Sequence, residues 1–358
     1  MREVDVLVIG AGQAGLAMGY YLKQHNKSFV ILGKEDRAGE AWRKRYDSLV
    51  LFTPRWFSGL PGLPLKGNRN GYAAKDEIAD YLENYMQFHQ LPVELQTAVY
   101  SLEQHGNMYV AATSRGDYRA KKVVVATGPF HKPFVPEMAK AVSPEVYQVH
   151  TSQYRNSSQL KPGSVLVVGG GNSGAQIAVE LSQDREVYLS IGYPLKFYPL
   201  QKLGMSIFWW FKKLGMLKAD VESRMGGWMK KQNDPIFGLE LRELLRQGKI
   251  GLKSRTADMF DKTVTFKGDV YFLKVTHDLK GSISPVSVDN IVWATGFRSN
   301  YSWIRVPYVI DGNGKPIHQR GVTAVDGLYF IGLPWQQTRG SALLGGVGKD
   351  AKWLAERM

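Results

Sequence analysis

Gly10, Gly12 and Gly15 stand in the spacing GxGxxG, and Gly169, Gly171 and Gly174 repeat it. That pattern suits one chemistry above others, the holding of a dinucleotide pyrophosphate. The first glycine allows a tight turn, the second lets backbone approach the phosphates, and the third lets a helix pack closely on a strand. The helix that follows offers unpaired N–H groups and the positive end of its dipole to the anion. The 358-residue chain has no cysteine. Disulfides, thiolate metal sites, iron–sulfur clusters and dithiol relays are therefore excluded, and redox chemistry must come from a bound cofactor. The seven histidines are scattered without HxxxH or HxH pairs, so no metal site is expected.

Each glycine set needs a strand before it and a helix after it. Residues 6–9 form an apolar run, Leu16, Tyr20 and Leu22 begin an apolar helix face, and Phe29–Leu32 reads as a second strand. Val165–Val168, a helix through 177–181 and a strand at 186–191 repeat the unit. An apolar strand ending in Ala-Thr-Gly follows each: "VVVATG", closing on Ala126, Thr127 and Gly128, and "IVWATGF", with Ala294, Thr295 and Gly296. Stretches 93–119 and 251–288 precede these strands and alternate like β-meanders. The chain reads as an internal duplication. The predicted fold is α/β: two Rossmann-like dinucleotide-binding domains, the second inserted in the first, each with a β-meander. Residues 1–155 and 290–358 form the first domain, and 156–289 the second, with an aromatic insertion at about 200–238.

Two such sites in one chain imply two nucleotides, one held and one visiting. "DGLYFIGLPW", with Gly332, is a further strand-then-glycine element of the kind that completes the flavin site in two-dinucleotide flavoproteins. The first unit is therefore expected to hold FAD, and the second NADPH or NADH. Hydrophobic residues make up 44% of the chain and charged residues 22%, a globular balance. No run reaches the length of a membrane span, and the chain enters a strand pattern by Val4 without a signal-like head, so the expected location is cytoplasmic. The net charge of +14 is spread rather than striped, which argues against a nucleic-acid partner.

"GAGQAG", "GEAWRKRYDSLVLFTP", "GGGNSGAQIA", "ATGF" and "GLPWQQTRGSALLGGVG" occur in an order and spacing that resemble a short flavin-containing monooxygenase, of the bacterial group associated with cation-diffusion-facilitator transporters. The resemblance covers nearly the whole chain. It implies FAD at the first unit (Gly10, Gly12, Gln13, Ala14, Gly15, Lys34, Glu35, Trp42, Ala126, Thr127, Gly128, Gly332, Ser341, Leu344). It implies NADPH at the second (Gly169, Gly171, Asn172, Ser173, Gly174, Gln176, Tyr193, Lys196, Ala294, Thr295, Gly296). Molecular oxygen and a small-molecule substrate complete the set. Trp42 is implied as an apolar wall and Thr53 as a hydroxyl near the flavin's reacting edge. Asn172 and Gln176 would orient the nicotinamide nucleotide. A helix beginning near Ser341 and Leu344 would turn its N-terminus toward the flavin pyrimidine.

The pattern departs from that family in three places. The linking motif FxGxxxHxxxY keeps His150 and Tyr154 but has Pro144 and Val146 for Phe and Gly, so His150 reads as a linker histidine. In "VILGKED" Gly33 stands where an acid normally meets the adenosine ribose, leaving Glu35 as the candidate. After "LSIG" the 2′-phosphate arginine is replaced by Tyr193, leaving Lys196 or Lys202 for the charge. The segment "LGMSIFWWFKKLGML" is expected to cover the cleft, with ordinary packing and a membrane-surface helix as alternatives. The implied activity is NADPH-dependent oxygenation of a soft nucleophile through a flavin C4a-hydroperoxide. An NAD(P)H oxidase or quinone reductase, and a nucleotide-sensing flavoprotein, are the alternatives. Thioredoxin-type disulfide reductases need a CxxC pair and are excluded.

Overall fold

The computed structural model describes residues 1–268 and 281–358. The opening strand, Arg2–Ile9, ends in four buried residues, as a parallel strand covered on both faces must. It pairs in parallel with Phe29–Leu32 on one side and Tyr118–Val125 on the other. Tyr118–Val125 changes neighbours along its length. Its Tyr118 and Ala120 pair antiparallel with Ala111 and Tyr109, whereas its Val123, Val124 and Val125 pair in parallel with Leu328–Phe330. One strand thus closes the first meander, carries the first Ala-Thr-Gly and receives the C-terminal segment.

The second sheet lies in sequence between these pieces. Its order is Tyr147–His150, Asn290–Trp293, Val165–Val168, Val187–Ser190 and Ile250–Lys253, all parallel. Because Leu328–Phe330 rejoins the first sheet, the second unit is inserted in the first, as the duplication predicted. The meanders differ from expectation at their edges. Val93–Glu94 pairs in parallel with Ile31 and Leu32 instead of starting the first meander, which comprises Val99–His105, Met108–Thr113 and Tyr118–Val125. In the second half, residues 251–253 belong to the parallel sheet, and the antiparallel piece is Arg255–Phe260, Thr263–Lys267 and Val286–Ser287. The part of the 251–288 expectation that falls on 269–280 lies outside the described residues.

Strand alternation sorts the core. Val6, Val8, Ile31 and Val124 face the helices Gln13–Gln24, Lys75–Phe88 and Leu344–Ala355, while Leu7, Ile9, Val30 and Val125 face the meander. In the second unit Val165 and Val167 meet the helices Asn172–Leu181 and Glu240–Arg246, and Leu166 and Val168 meet Met259, Val264 and Phe266. Burying one such side chain contributes about 1.5–3 kcal/mol. The aromatic insertion holds a short helix, Ile207–Lys213, capped by Ser206 accepting from the Trp209 N–H at 3.2 Å. Among the described residues no helix is long and apolar enough to cross a membrane.

Candidate active site

The six glycines of the two turns divide into three jobs, identically in both units. A Cβ on Gly10 would stand 2.6 Å from the Ala126 carbonyl oxygen, and one on Gly169 would stand 2.3 Å from that of Ala294. Both also adopt positive φ, +117° and +125°. A Cβ on Gly15 or Gly174 would sit 1.8 or 2.0 Å from the carbonyl of Gly10 or Gly169. These four are therefore required by the fold. Gly12 and Gly171 meet nothing within 4 Å, and each caps its helix with no side-chain hydrogen bond. The open middle glycine above uncapped helix N–H groups is a cradle that a Cβ would fill, and it fits a pyrophosphate in each unit.

A cavity of 490 Å³ opens from the first cradle, lined by Gly10, Gly12, Gln13, Gly33, Lys34, Glu35, Trp42, Ala126 and Thr127 among others. The missing acid at position 33 has a steric cause. A Cβ there would come within 2.8 Å of the Ala11 Cβ and 3.2 Å of Leu95 Cδ2, so no carboxylate can stand on that strand end. Glu35 is half-buried in the cavity wall and takes a 2.6 Å ion pair from Lys44, while Lys34 is exposed.

Trp42 Nε1 donates to Gln13 Oε1 at 3.3 Å, and Gln13 Nε2 donates to the Ala342 carbonyl at 3.3 Å. One side chain thus joins the first glycine turn, the Trp42 segment and the loop before the last helix. Gly332 presses on the same turn, since a Cβ on it would lie 2.7 Å from the Ala14 Cβ. Thr53 is buried, and its hydroxyl is shared with Ser58 at 2.8 Å in a local turn. Ser341 is fully buried and accepts from the Gln337 and Thr338 N–H groups at 3.1 and 3.0 Å. The last helix starts at Leu344, later than the Ser341 region, because Ser341 closes a turn of its own. Its glycines let it nest on the 57–61 loop: a Cβ on Gly345 would stand 1.5 Å from the Phe57 carbonyl oxygen.

In the second unit, Asn172 Nδ2 donates to the Pro235 carbonyl and its Oδ1 accepts from the Phe237 N–H, both at 3.0 Å. Gln176 accepts from Tyr46 Oη at 2.9 Å and donates to the Val50 carbonyl at 3.0 Å. Both amides are thus engaged with neighbouring segments, Asn172 with the insertion and Gln176 with the first domain. Ser173 lies beside the same Tyr46 phenol, which burial pushes up to about 12. Tyr193 lies near the Asp234 carboxylate, and Lys196 donates to Gln232 at 2.6 Å. Lys202 is exposed.

The two Ala-Thr-Gly turns meet at the hinge. Phe297–Arg298 pairs with Lys132–Pro133, and Thr295 Oγ1 bonds the Phe134 carbonyl. Tyr301 Oη donates to the Gly128 carbonyl at 3.0 Å, and Thr127 Oγ1 lies 3.2 Å from His131 Nε2. His150 Nε2 lies 2.9 Å from the Gly296 carbonyl, so Nε2 carries the proton, and Nδ1 accepts from the Ser152 N–H at 3.1 Å. Burial holds this histidine below its ordinary range, in the neutral form suited to a linker.

Sequence reasoning passed over Arg45, whose guanidinium lies 5.4 and 5.5 Å from the rings of Phe130 and Phe297, one after each Ala-Thr-Gly. It also passed over which aromatics of the insertion face inward. Ile207, Phe208 and Phe211 are buried with Phe237 against Phe52, Trp56, Phe57 and Leu343, whereas Trp209 and Trp210 lie on the outer side. The i, i+1, i+4 spacing of Ile207, Phe208 and Phe211 was the available signal. A larger cavity, 960 Å³, lies away from both glycine turns, between residues 317–324 and the last helix.

Two cradles of this geometry on a twice-used fold define a two-dinucleotide-binding flavoprotein, a flavin-dependent oxidoreductase. Comparison with known proteins agrees. Residues 7–193 match the pyridine nucleotide-disulphide oxidoreductase model. An uncharacterized CzcO-like oxidoreductase of Geobacillus kaustophilus is 60% identical over 351 residues, 98% of this chain and 97% of that one. The uncharacterized oxidoreductase CzcO of Bacillus subtilis is 48% identical over 354 residues, 99% of each chain. A flavin-containing monooxygenase from Stenotrophomonas maltophilia superposes with a TM-score of 0.81 at 25% identity, covering 100% of this chain and 98% of that one. The chain belongs to the pyridine nucleotide-disulphide oxidoreductase family, in its flavin-monooxygenase-like branch. With no cysteine, it does so without the dithiol that the family description suggests.

Proposed function

We propose that the protein is an FAD-dependent, NADPH-using monooxygenase that oxygenates a small soft nucleophile, a nitrogen or sulfur centre, with molecular oxygen as co-substrate. Residues 1–155 and 290–358 hold FAD, and residues 156–289 hold NADPH. The single observation that carries this reading is the buried aromatic cluster of the insertion. Phe208, Phe211 and Phe237 pack on Phe52 and Phe57 of the first domain and on Leu343, one residue before the last helix. An oxidase needs no such cover, whereas an oxygenase must keep water from the reacting flavin.

When bound, the flavin supplies hydride acceptance and oxygen activation. The chain's own residues bind and exclude. Gly12 and Gly171 leave room for the pyrophosphates, and the helix N–H groups above them take the charge. Trp42 and Gln13 hold the loop at Ala342. The helix at Leu344 would offer its positive end to negative charge on a bound flavin, favouring it by about 0.3–1 kcal/mol. Asn172 holds the insertion onto the second turn and so couples occupancy of that turn to the cover.

The test is the peroxide released per NADPH consumed. We expect a ratio well below one when an amine or a thioether is present, with the balance found as N- or S-oxide. One peroxide per NADPH under all these conditions overturns the reading in favour of an oxidase.

A further inference from the structure

In a dinucleotide fold the C-terminal end of the second strand faces the adenosine ribose, and a cation placed there reads a 2′-phosphate. Here that end is Gly192, following Val187–Ser190. The residues next in sequence are poorly equipped. Tyr193 lies near a carboxylate, and Lys196 is spent on Gln232.

The neighbouring strand brings a better group. Ile250–Lys253 runs parallel to Val187–Ser190 with Lys253 opposite Ser190, so two residues further on Arg255 comes level with Gly192. Arg255 Nη2 donates to the Gly192 carbonyl at 3.3 Å. Its Nε and Nη2 lie 3.0 Å from where a Cβ on Gly192 would stand, so the guanidinium rests closely on this strand end and a side chain there would make it shift. The backbone on either side is pinned. Ser190 Oγ donates to the Ser254 carbonyl at 2.9 Å and meets Thr256 Oγ1 at 2.8 Å, and the Thr256 N–H donates back to Ser190 Oγ at 3.1 Å. Ser190, Ser254 and Thr256 are buried, while Arg255 is exposed and has no ion pair among the described residues. A guanidinium has five N–H donors in a fixed fork, and one is used here.

We propose that Arg255 is the residue that selects NADPH over NADH, presenting its free N–H groups to the 2′-phosphate from the strand beside Gly192. This rests on the reading of the second unit as the NADPH site. Calorimetric titration of the holoenzyme with 2′,5′-ADP and with 5′-ADP tests it, beside the KM values for NADPH and NADH. Wild type is expected to bind 2′,5′-ADP about 10- to 100-fold tighter than 5′-ADP. Arg255→Ala should lose that factor with KM for NADH unchanged, and Arg255→Lys should keep only part of it. Gly192→Ala, checked for folding by its melting curve, should reduce that factor with Arg255 still present, because the guanidinium must shift. If wild type binds neither nucleotide, the second unit is not the NADPH site, and the reading beneath the proposal fails with it. If wild type discriminates and Arg255→Ala discriminates equally, Arg255 is not the reader although the site stands.

Discussion

Gly12 and Gly15 sit three residues apart in one motif, yet their substitution should fail in different ways. A Cβ on Gly15 collides with the Gly10 carbonyl at 1.8 Å, so Gly15→Ala must push helix from strand, a cost of about 1–3 kcal/mol or more. A Cβ on Gly12 meets nothing, so Gly12→Val should fold but purify without flavin, melting close to wild type stripped of its flavin. Flavin absorbance per protein, read beside the melting temperature, separates the two. Full flavin retention in Gly12→Val would contradict FAD at the first turn. The motif spacing made both glycines legible in the sequence. It also divided them, Gly12 for the ligand and Gly15 for packing; what it did not show is the contact behind the packing role, the Gly10 carbonyl. Gly33 was likewise visible as a departure, and its cause, the contact with Ala11 and Leu95, was not.

Strands and glycine turns follow from local pattern, and Phe29–Leu32 and Val165–Val168 match their predicted bounds. The insertion is different, since its fold depends on what it packs against. Trp209 and Trp210 are among its largest aromatics, yet Trp210 Nε1 donates back to the Lys202 carbonyl at 3.0 Å and Lys213 lies over Trp209. The inward face belongs to Phe208, which meets Phe52, Phe57 and Phe237. Phe208→Ala should therefore cost about 3–5 kcal/mol of packing within the insertion and raise peroxide release per NADPH. Trp209→Ala and Trp210→Ala should change that ratio little. The three variants compared by a peroxide assay decide it, and equal effects would mean that the insertion does not seal the cleft through its buried face.

For the whole molecule, burial holds His89, His131, His150 and His318 below their ordinary 6.5. The unfolded chain then binds more protons than the fold once pH drops below 6.5, so stability present in full above that pH is lost progressively beneath it. A melting series should show this loss before two carboxylates take up protons: Glu77, held below 4.5 first by the Ala74 N–H and then by Arg55, and Glu83, held below 4.5 by Arg37. Asp350, raised from 3.8 by burial, works in the opposite sense at the acid end. A melting temperature that stays flat as pH falls below 6.5 would contradict the neutral state of these four histidines taken together. In the function proposed, the duplicated fold, its insertion and the linker histidine all serve one arrangement, a closed cleft between two bound nucleotides. Stopped-flow mixing of NADPH-reduced holoenzyme with oxygenated buffer tests that arrangement most directly. We expect two phases, with a transient absorbing between the reduced and oxidised flavin spectra that outlasts its own formation and decays faster when an amine or thioether is added. Reoxidation in a single phase, unchanged by either compound, would contradict it.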